Sequence, residues 1–199
     1  WTVVNDNVSS GAWERGDPVG TEAQPEEDAG DGTQCFFTGQ GLPGGHVSLE
    51  DLDGGPTRLV SPAFDLAGDD GVIRYSYWHY NLKGDDPLVV ELSGDDGNNW
   101  TEVTRHEFGA GGWFEESFRV SDHIAPTSQV RLRFSISDNP TNTITEAAID
   151  EVKVQRFDCT WQDLGNALPG AHGDPVLDGD GTLLADDPLT ISLANGLEF

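Results

Sequence analysis

The sequence predicts an all-β protein: an antiparallel jelly-roll β-sandwich with an extended C-terminal β segment. Three observations carry that prediction. Apolar residues recur with a period of two in short runs. Gly, Asp and Pro separate those runs, often at the roughly 8–12-residue spacing of a sandwich. No stretch of helical period competes with them.

The strands follow in chain order. GAWERG (11–16), TQCFFTG (33–39) and TRLVSPAFDL (57–66) come first. VIRYSYWHY (72–80) puts Ile73, Tyr75, Tyr77 and His79 on one face and Val72, Arg74, Ser76, Trp78 and Tyr80 on the other. Aromatic residues on both faces predict a central strand. PLVVELS (87–93), NWTEVTRHEF (99–108) and WFEESFRVS (113–121) follow. QVRLRFSIS (129–137) points Val130, Leu132, Phe134 and Ile136 inward and Arg131 and Arg133 outward. AAIDEVKVQRF (147–157) closes the set, so the sandwich is expected over 1–157.

Two long acidic, glycine-rich loops interrupt the strands, 17–32 and 39–55. Long ordered loops need a tie such as a metal or a disulfide. Cys35 lies between them, and Cys159 is the only other cysteine. In a secreted protein the two would form a disulfide closing a long loop, worth roughly 4–5 kcal/mol in the chain-entropy picture. The alternative is two buried thiols.

Residues 158–199 differ in character, with fresh turn signals and a closing alternation of Leu189, Ile191 and Leu193. Some forty residues do not easily build a core of their own. The segment is expected to be an extension of the sandwich or the truncated start of a second β module. An apolar strand without a sheet must find an edge.

Charge narrows the function. The chain carries 36 acidic and 10 basic residues, a formal charge of −26. Such a surface repels nucleic acid and favours cations, above all calcium with its oxygen ligands. No apolar run is long enough to insert into a membrane. The chain opens directly on strand-like residues, as expected of a mature or excised segment.

Several segments together resemble one family: GAWERGDPVGT (11–21), CFFTGQG (35–41), DLDGGPTRLVSPAFDL (51–66), VVELSGDDGNNW (89–100), FRVSDHIAPTSQVRLRFSISD (118–138) and EAAIDEVKV (146–154). They are similar to the calcium-associated jelly-roll modules appended to secreted bacterial zinc carboxypeptidases and other exported proteins, an arrangement related to MAM-like and carbohydrate-binding-like sandwiches. The resemblance implies an extracellular accessory role without chemistry of its own. It also implies one structural ion shared by an acid of the last strand and acids of early loops.

Asp150 is the strand acid that pattern singles out. It shares a face with Ala148, Val152 and Val154, and a buried carboxylate must be compensated. Asp51 and Asp53 in EDLDGG alternate like carboxylate donors, with glycines to let the backbone curve round an ion. Glu14 and Asp17 in WERGDP complete the expected calcium ligands. LSGDDGNNW (92–100) matches the Asp-box pattern of sialidases and other β proteins. There Ser93, Asp95 and Gly97 are expected to shape a hairpin turn over Trp100.

Catalysis finds no support in the pattern. The histidines His46, His79, His106, His123 and His172 lack metalloenzyme spacing, and no G-x-S-x-G is present. The expected function is a non-catalytic, calcium-stabilised adhesion or binding module, with glycan as the candidate ligand. Tyr75, Tyr77, Trp78, Tyr80, Trp113 and Phe114 are the aromatic residues that would stack on sugars. The rival is a self-assembling subunit of a fibre or surface layer, in which the strand Pro188–Ala194 adds to a neighbouring copy.

Overall fold

A computed structural model describes residues 1–157 apart from 44, 49 and 142. Eleven strands build two antiparallel sheets. In chain order they are β1 (Thr2–Asn5), β2 (Val8–Ser10), β3 (Trp13–Gly16), β4 (Cys35–Thr38), β5 (Asp53–Val60), β6 (Asp70–Asn81), β7 (Leu88–Ser93), β8 (Thr101–His106), β9 (Gly109–Arg119), β10 (Arg131–Asp138) and β11 (Glu146–Phe157). The first sheet runs β1-β5-β10-β7-β8, with β2 also on β5. The second runs β3-β4-β11-β6-β9. The only helical element among the described residues is a 3-10 turn at Val120–Asp122. The described residues form an all-β jelly-roll sandwich, as their period-two patterning predicts.

The core lies between the sheets. From β10, Leu132, Phe134 and Ile136 enter it, joined by Val130 just ahead of the strand, and Leu59, Ile73, Tyr75, Val90, Leu92 and Ile149 meet them. β6 is interior to its sheet, flanked by β11 and β9, as the aromatic residues on both its faces predict. The segment read as a strand over 57–66 is instead β5 at Asp53–Val60, followed by one bridge between Phe64 and Val130. Pro62 lacks an N–H to continue the ladder, and the Gly54–Gly55 pair belongs to the strand, not to the loop before it.

The second sheet has its own covering. Cys35, Phe37 and Ala148 form a small cluster with Trp78 and Trp113. Trp78 Nε1–H donates to the Ala23 carbonyl at 2.8 Å, and Trp113 Nε1–H to the Glu27 carbonyl at 3.0 Å. These two bonds fasten the acidic 17–32 loop over that sheet, and Ala23 is fully buried there. Gln24 Nε2 adds to this tie by donating to the Thr38 and Gly39 carbonyls. Cys159 and the strand residues Leu189, Ile191 and Leu193 lie outside the described residues, as does all of 158–199.

Candidate metal centre

Asp51, Asp53 and Asp138 present carboxylate oxygens that all lie within 4.8 Å of one another. Asp51 and Asp138 are buried and Asp53 is half-buried. Like charges so close and so dry resist ionisation. Burial, then Asp53 and Asp138, push the Asp51 carboxyl up to about 6. No lysine or arginine is ion-paired with Asp51 or Asp53 among the described residues. An all-oxygen, all-anionic donor set suits a hard divalent cation such as calcium.

The backbone around this cluster is shaped for close approach. Gly11 and Gly39 both have positive φ, at 70° and 56°. A Cβ on Gly11 would strike the Leu52 backbone at 2.5 Å, and one on Gly39 the Glu50 carbonyl oxygen at 2.1 Å. Only glycine lets β3 and β4 close on the loop that carries Asp51. Glu50 itself sits at φ 69°, a left-handed conformation that costs a non-glycine residue about 1–2 kcal/mol. Strain of this kind next to a carboxylate cluster marks a site whose surroundings over-determine it.

Glu146 extends the charge. It opens β11, is 1% exposed, and accepts from the Thr38 hydroxyl at 2.5 Å. Burial pushes its carboxyl well above the ordinary range, opposed by hydrogen bonds from Thr38 and Gln24, while Asp51 adds to the rise. A polar network braces the neighbouring loops. Asp86 accepts from Asn81 Nδ2 at 3.0 Å and from the Thr143 hydroxyl at 2.7 Å. The Thr145 carbonyl accepts from Leu52 N–H at 3.2 Å, which ties this network to the Asp51 loop.

The expected ligands divide. Asp51 and Asp53 come together; Asp150, Glu14 and Asp17 do not join them. Asp150 is on β11 opposite Ser76, half-buried, and accepts from Ala29 N–H at 3.0 Å. Its face is not the inter-sheet core, because Ala147 and Ile149 take that side. Asp150 points to the outer side, beneath the 17–32 loop, and a backbone N–H compensates its charge. Glu14 and Asp17 are exposed. The β11 acid nearest the EDLDGG loop is Glu146, four residues earlier on the same face as Asp150, about 13 Å along the strand.

Asp138 is not among the ligands the sequence predicts, though the sequence carries its signal. It continues the inward series Phe134, Ile136 by one more step, and it is fully buried. An acid in phase with a core face was the signal. Cys35 is buried beside Phe37 and Ala148, and burial, followed by Asp150 and Asp28, pushes its thiol up to about 12.

The 92–100 stretch is a turn. Asp95 accepts from Ser93 Oγ–H at 2.8 Å, from Asn99 N–H at 2.8 Å and from Asn99 Nδ2 at 2.6 Å. These bonds hold its carboxyl below the usual range. Gly97 takes φ 91°, with Trp100 3.3 Å from where its Cβ would stand. β7 and β8 pair across this turn, and the Arg133 guanidinium lies 4.0 Å over the Trp100 ring.

The sugar-stacking candidates have other work. Tyr75 is fully buried, Trp78 and Trp113 fasten the acidic loop, and only Phe114 is broadly exposed. His79 is buried, with Nε2 3.1 Å from the Asp86 carbonyl oxygen, and burial pushes it down to about 4. His106 stacks on Tyr77 at 3.7 Å, and burial lowers it too.

The sequence matches no known family model, and no curated protein matches it. Solved structures with similar folds include two cleaved adhesin domains of Lys-gingipain, the first from Porphyromonas gingivalis W83. That first domain, K1, is 17% identical with a TM-score of 0.46, covering 78% of this chain and 98% of its own. The second, K2, is 13% identical with a TM-score of 0.49, covering 78% and 88%. TmCBM61, solved with β-1,4-galactotriose, is 18% identical with a TM-score of 0.45, covering 79% and 88%. These three are adhesin and carbohydrate-binding domains, and another similar structure is the enzymatically active domain of a bacteriophage CBA120 tailspike protein, 12% identical with a TM-score of 0.43, covering 79% of this chain and 19% of its own. At these identities no ligand or cation passes from them to this chain.

Proposed function

We propose that this chain is a non-catalytic, calcium-stabilised binding module of a secreted protein, with glycan as its ligand class. The observation that carries the cation is the Asp51–Asp53–Asp138 cluster, three carboxylates within 4.8 Å with Glu146 buried behind them. Asp51, Asp53 and Asp138 would hold the ion, and the ion would supply the positive charge that lets all three ionise at once. Its role is to fasten the loop before β5 to the end of β10. The buried, low-basicity histidines, engaged with a backbone carbonyl and an aromatic ring, favour binding over catalysis. Titration calorimetry with calcium is the direct test. One site is expected in the parent and none in Asp138→Asn, and an absence of heat in the parent would overturn the cation. A glycan array then addresses the ligand.

A second reading keeps a physical basis in β1. It forms one edge of its sheet, with Val3 36% and Val4 45% exposed. Such an edge accepts a strand from a neighbouring copy. The expected donor, Pro188–Ala194, lies outside the described residues. Particle size with and without EGTA separates the two readings: filaments favour assembly, a monomer favours the accessory module.

A further inference from the structure

The outer face of the first sheet departs from the charge of the rest of the chain. Of ten basic residues in a chain of formal charge −26, four are arginines on this face: Arg58, Arg105, Arg131 and Arg133. Register fixes their layout. Arg131 and Arg133 are two residues apart on β10. Arg58 on β5 is level with Ser135, the next outward residue of β10. The three therefore form a row at roughly 7 Å steps along the strand direction. Arg105 on β8 is level with Arg58 on the far side, through Val89 and Ser135.

Three of the four are engaged. Arg133 binds both Glu91 oxygens at 2.6 and 2.7 Å. Arg131 binds Asp96 at 2.6 Å and the Ser61 carbonyl at 2.8 Å. Arg105 binds both oxygens of Glu102. Arg58 has no ion pair or hydrogen bond among the described residues, although it is half-buried. It lines a shallow groove of about 370 Å³ with Val4, Val60, Trp100, Arg131 and Arg133.

We propose that this groove binds a carboxylate-bearing saccharide, with the free Arg58 guanidinium taking the carboxylate of a uronic acid residue. The proposal rests on the glycan-binding reading and names the class of glycan. A guanidinium without a partner presents a planar fork matched to a carboxylate. Val4, Val60 and the Trp100 edge offer apolar surface to the CH face of a pyranose. Thr2 on the same groove offers a hydroxyl-bearing partner for sugar hydroxyls. An acidic peptide fits less well. The backbone of a sheet face is already paired, so it offers an extended peptide no ladder, and peptides are captured at edges instead. Nucleic acid is disfavoured by the formal charge of −26 and by its own dense phosphate charge.

The test uses the full chain in physiological salt with tetragalacturonate, its methyl ester, β-1,4-galactotetraose and a short polyglutamate as probes. Tetragalacturonate is expected to bind, and its ester about tenfold or more weakly, the loss typical of one charge-assisted pair. Arg58→Gln is expected to lose the same factor with little change in melting temperature, since the Arg58 side chain makes no ion pair or hydrogen bond among the described residues and glutamine keeps part of its stem. Val4→Glu, which sets a like charge in the groove, is expected to lose binding as well. Equal binding of acid and ester, or an Arg58→Gln that binds as the parent does, overturns the proposal. Binding of the neutral galactan with no preference for the acid overturns it while leaving glycan binding in place. Polyglutamate binding that is equally sensitive to Arg58 overturns the saccharide in favour of an acidic peptide. If no oligosaccharide binds, the glycan reading falls with it.

Discussion

Asp51 and Asp138 reach the same point from different elements, a loop before β5 and the end of β10, and their carboxylate oxygens stand within 4.8 Å. Without a cation they repel. Asp51→Asn is therefore expected to raise the melting temperature in EGTA and to abolish the response to calcium. In the parent, calcium at a hundredfold excess over its dissociation constant is expected to add about 2.7 kcal/mol, or roughly 5–10 °C for a domain of this size. Differential scanning calorimetry of both proteins, with and without EGTA, checks this. An Asp51→Asn protein that still gains stability from calcium would count against the site.

The pH dependence has two opposing sources. Asp51 has a folded-state value of about 6 against an ordinary 3.8, so the folded chain holds the extra proton in that window. The stability linked to it is present below about 4 and is lost as pH rises through 6. Glu146, raised by burial, acts in the same direction. His79, lowered to about 4 from 6.5, is held neutral by the fold, so its share is full above 6.5 and lost as pH falls. His79 acts alike with and without calcium, so the difference between the two states isolates the carboxylates. The calcium-induced rise in melting temperature is expected to be larger at about pH 7.5 than at about pH 5. A rise of equal size at both would exclude these groups as the ligands.

Trp78 anchors the 17–32 loop through one N–H. Trp78→Phe keeps an aromatic ring and removes that donor, at an expected cost of about 0.5–1.5 kcal/mol. Limited proteolysis is the sensitive readout, with faster cleavage expected inside 17–32 and little change elsewhere. Cleavage that is unchanged, or that falls first in the 93–100 turn, would show that the loop is held by other contacts.

The 93–100 turn depends on Gly97. A non-glycine residue at φ 91° carries a left-handed penalty of about 1–2 kcal/mol, and its Cβ would press on Trp100. Gly97→Ala is expected to lower stability without altering the calcium isotherm. A lost calcium signal would place a cation in the turn.

How much of this was readable in the residues alone depends on range. Period-two alternation placed most of the strands, though not β2 and not the start of β5, and S-x-D-x-G-x-x-W placed a turn whose shaping bonds, from Ser93 and Asn99 to Asp95, are local. The carboxylate cluster is non-local, and there the sequence points to the wrong acid on β11. Asp150 was the acid that stood out among apolar neighbours, but the strand's facing could not be known until its partners were. Ile149 and Ala147 took the inter-sheet side, so Asp150 faced outward and the 17–32 loop met it. Glu146 lies on the same side four residues earlier, where Thr38 and the Asp51 loop converge. The sequence predicts a metal or a disulfide as the tie on the acidic loop; Cys159 lies outside the described residues, and among them Trp78, Trp113 and Asp150 hold the loop. By sequence the two tryptophans are sugar-stacking candidates, because nothing in a sequence shows where an indole N–H ends up.

Fastening the 17–32 loop over the second sheet leaves the described part of the molecule lopsided. One broad surface is taken by the chain's own acidic segment, and the opposite one carries four of its ten basic residues. Under the binding proposed for the arginine-bearing surface, copies joined by linkers gain from one another only when those surfaces turn toward the same target. The collective grip of such an array is then set by the spacers between copies as much as by the affinity of any one of them.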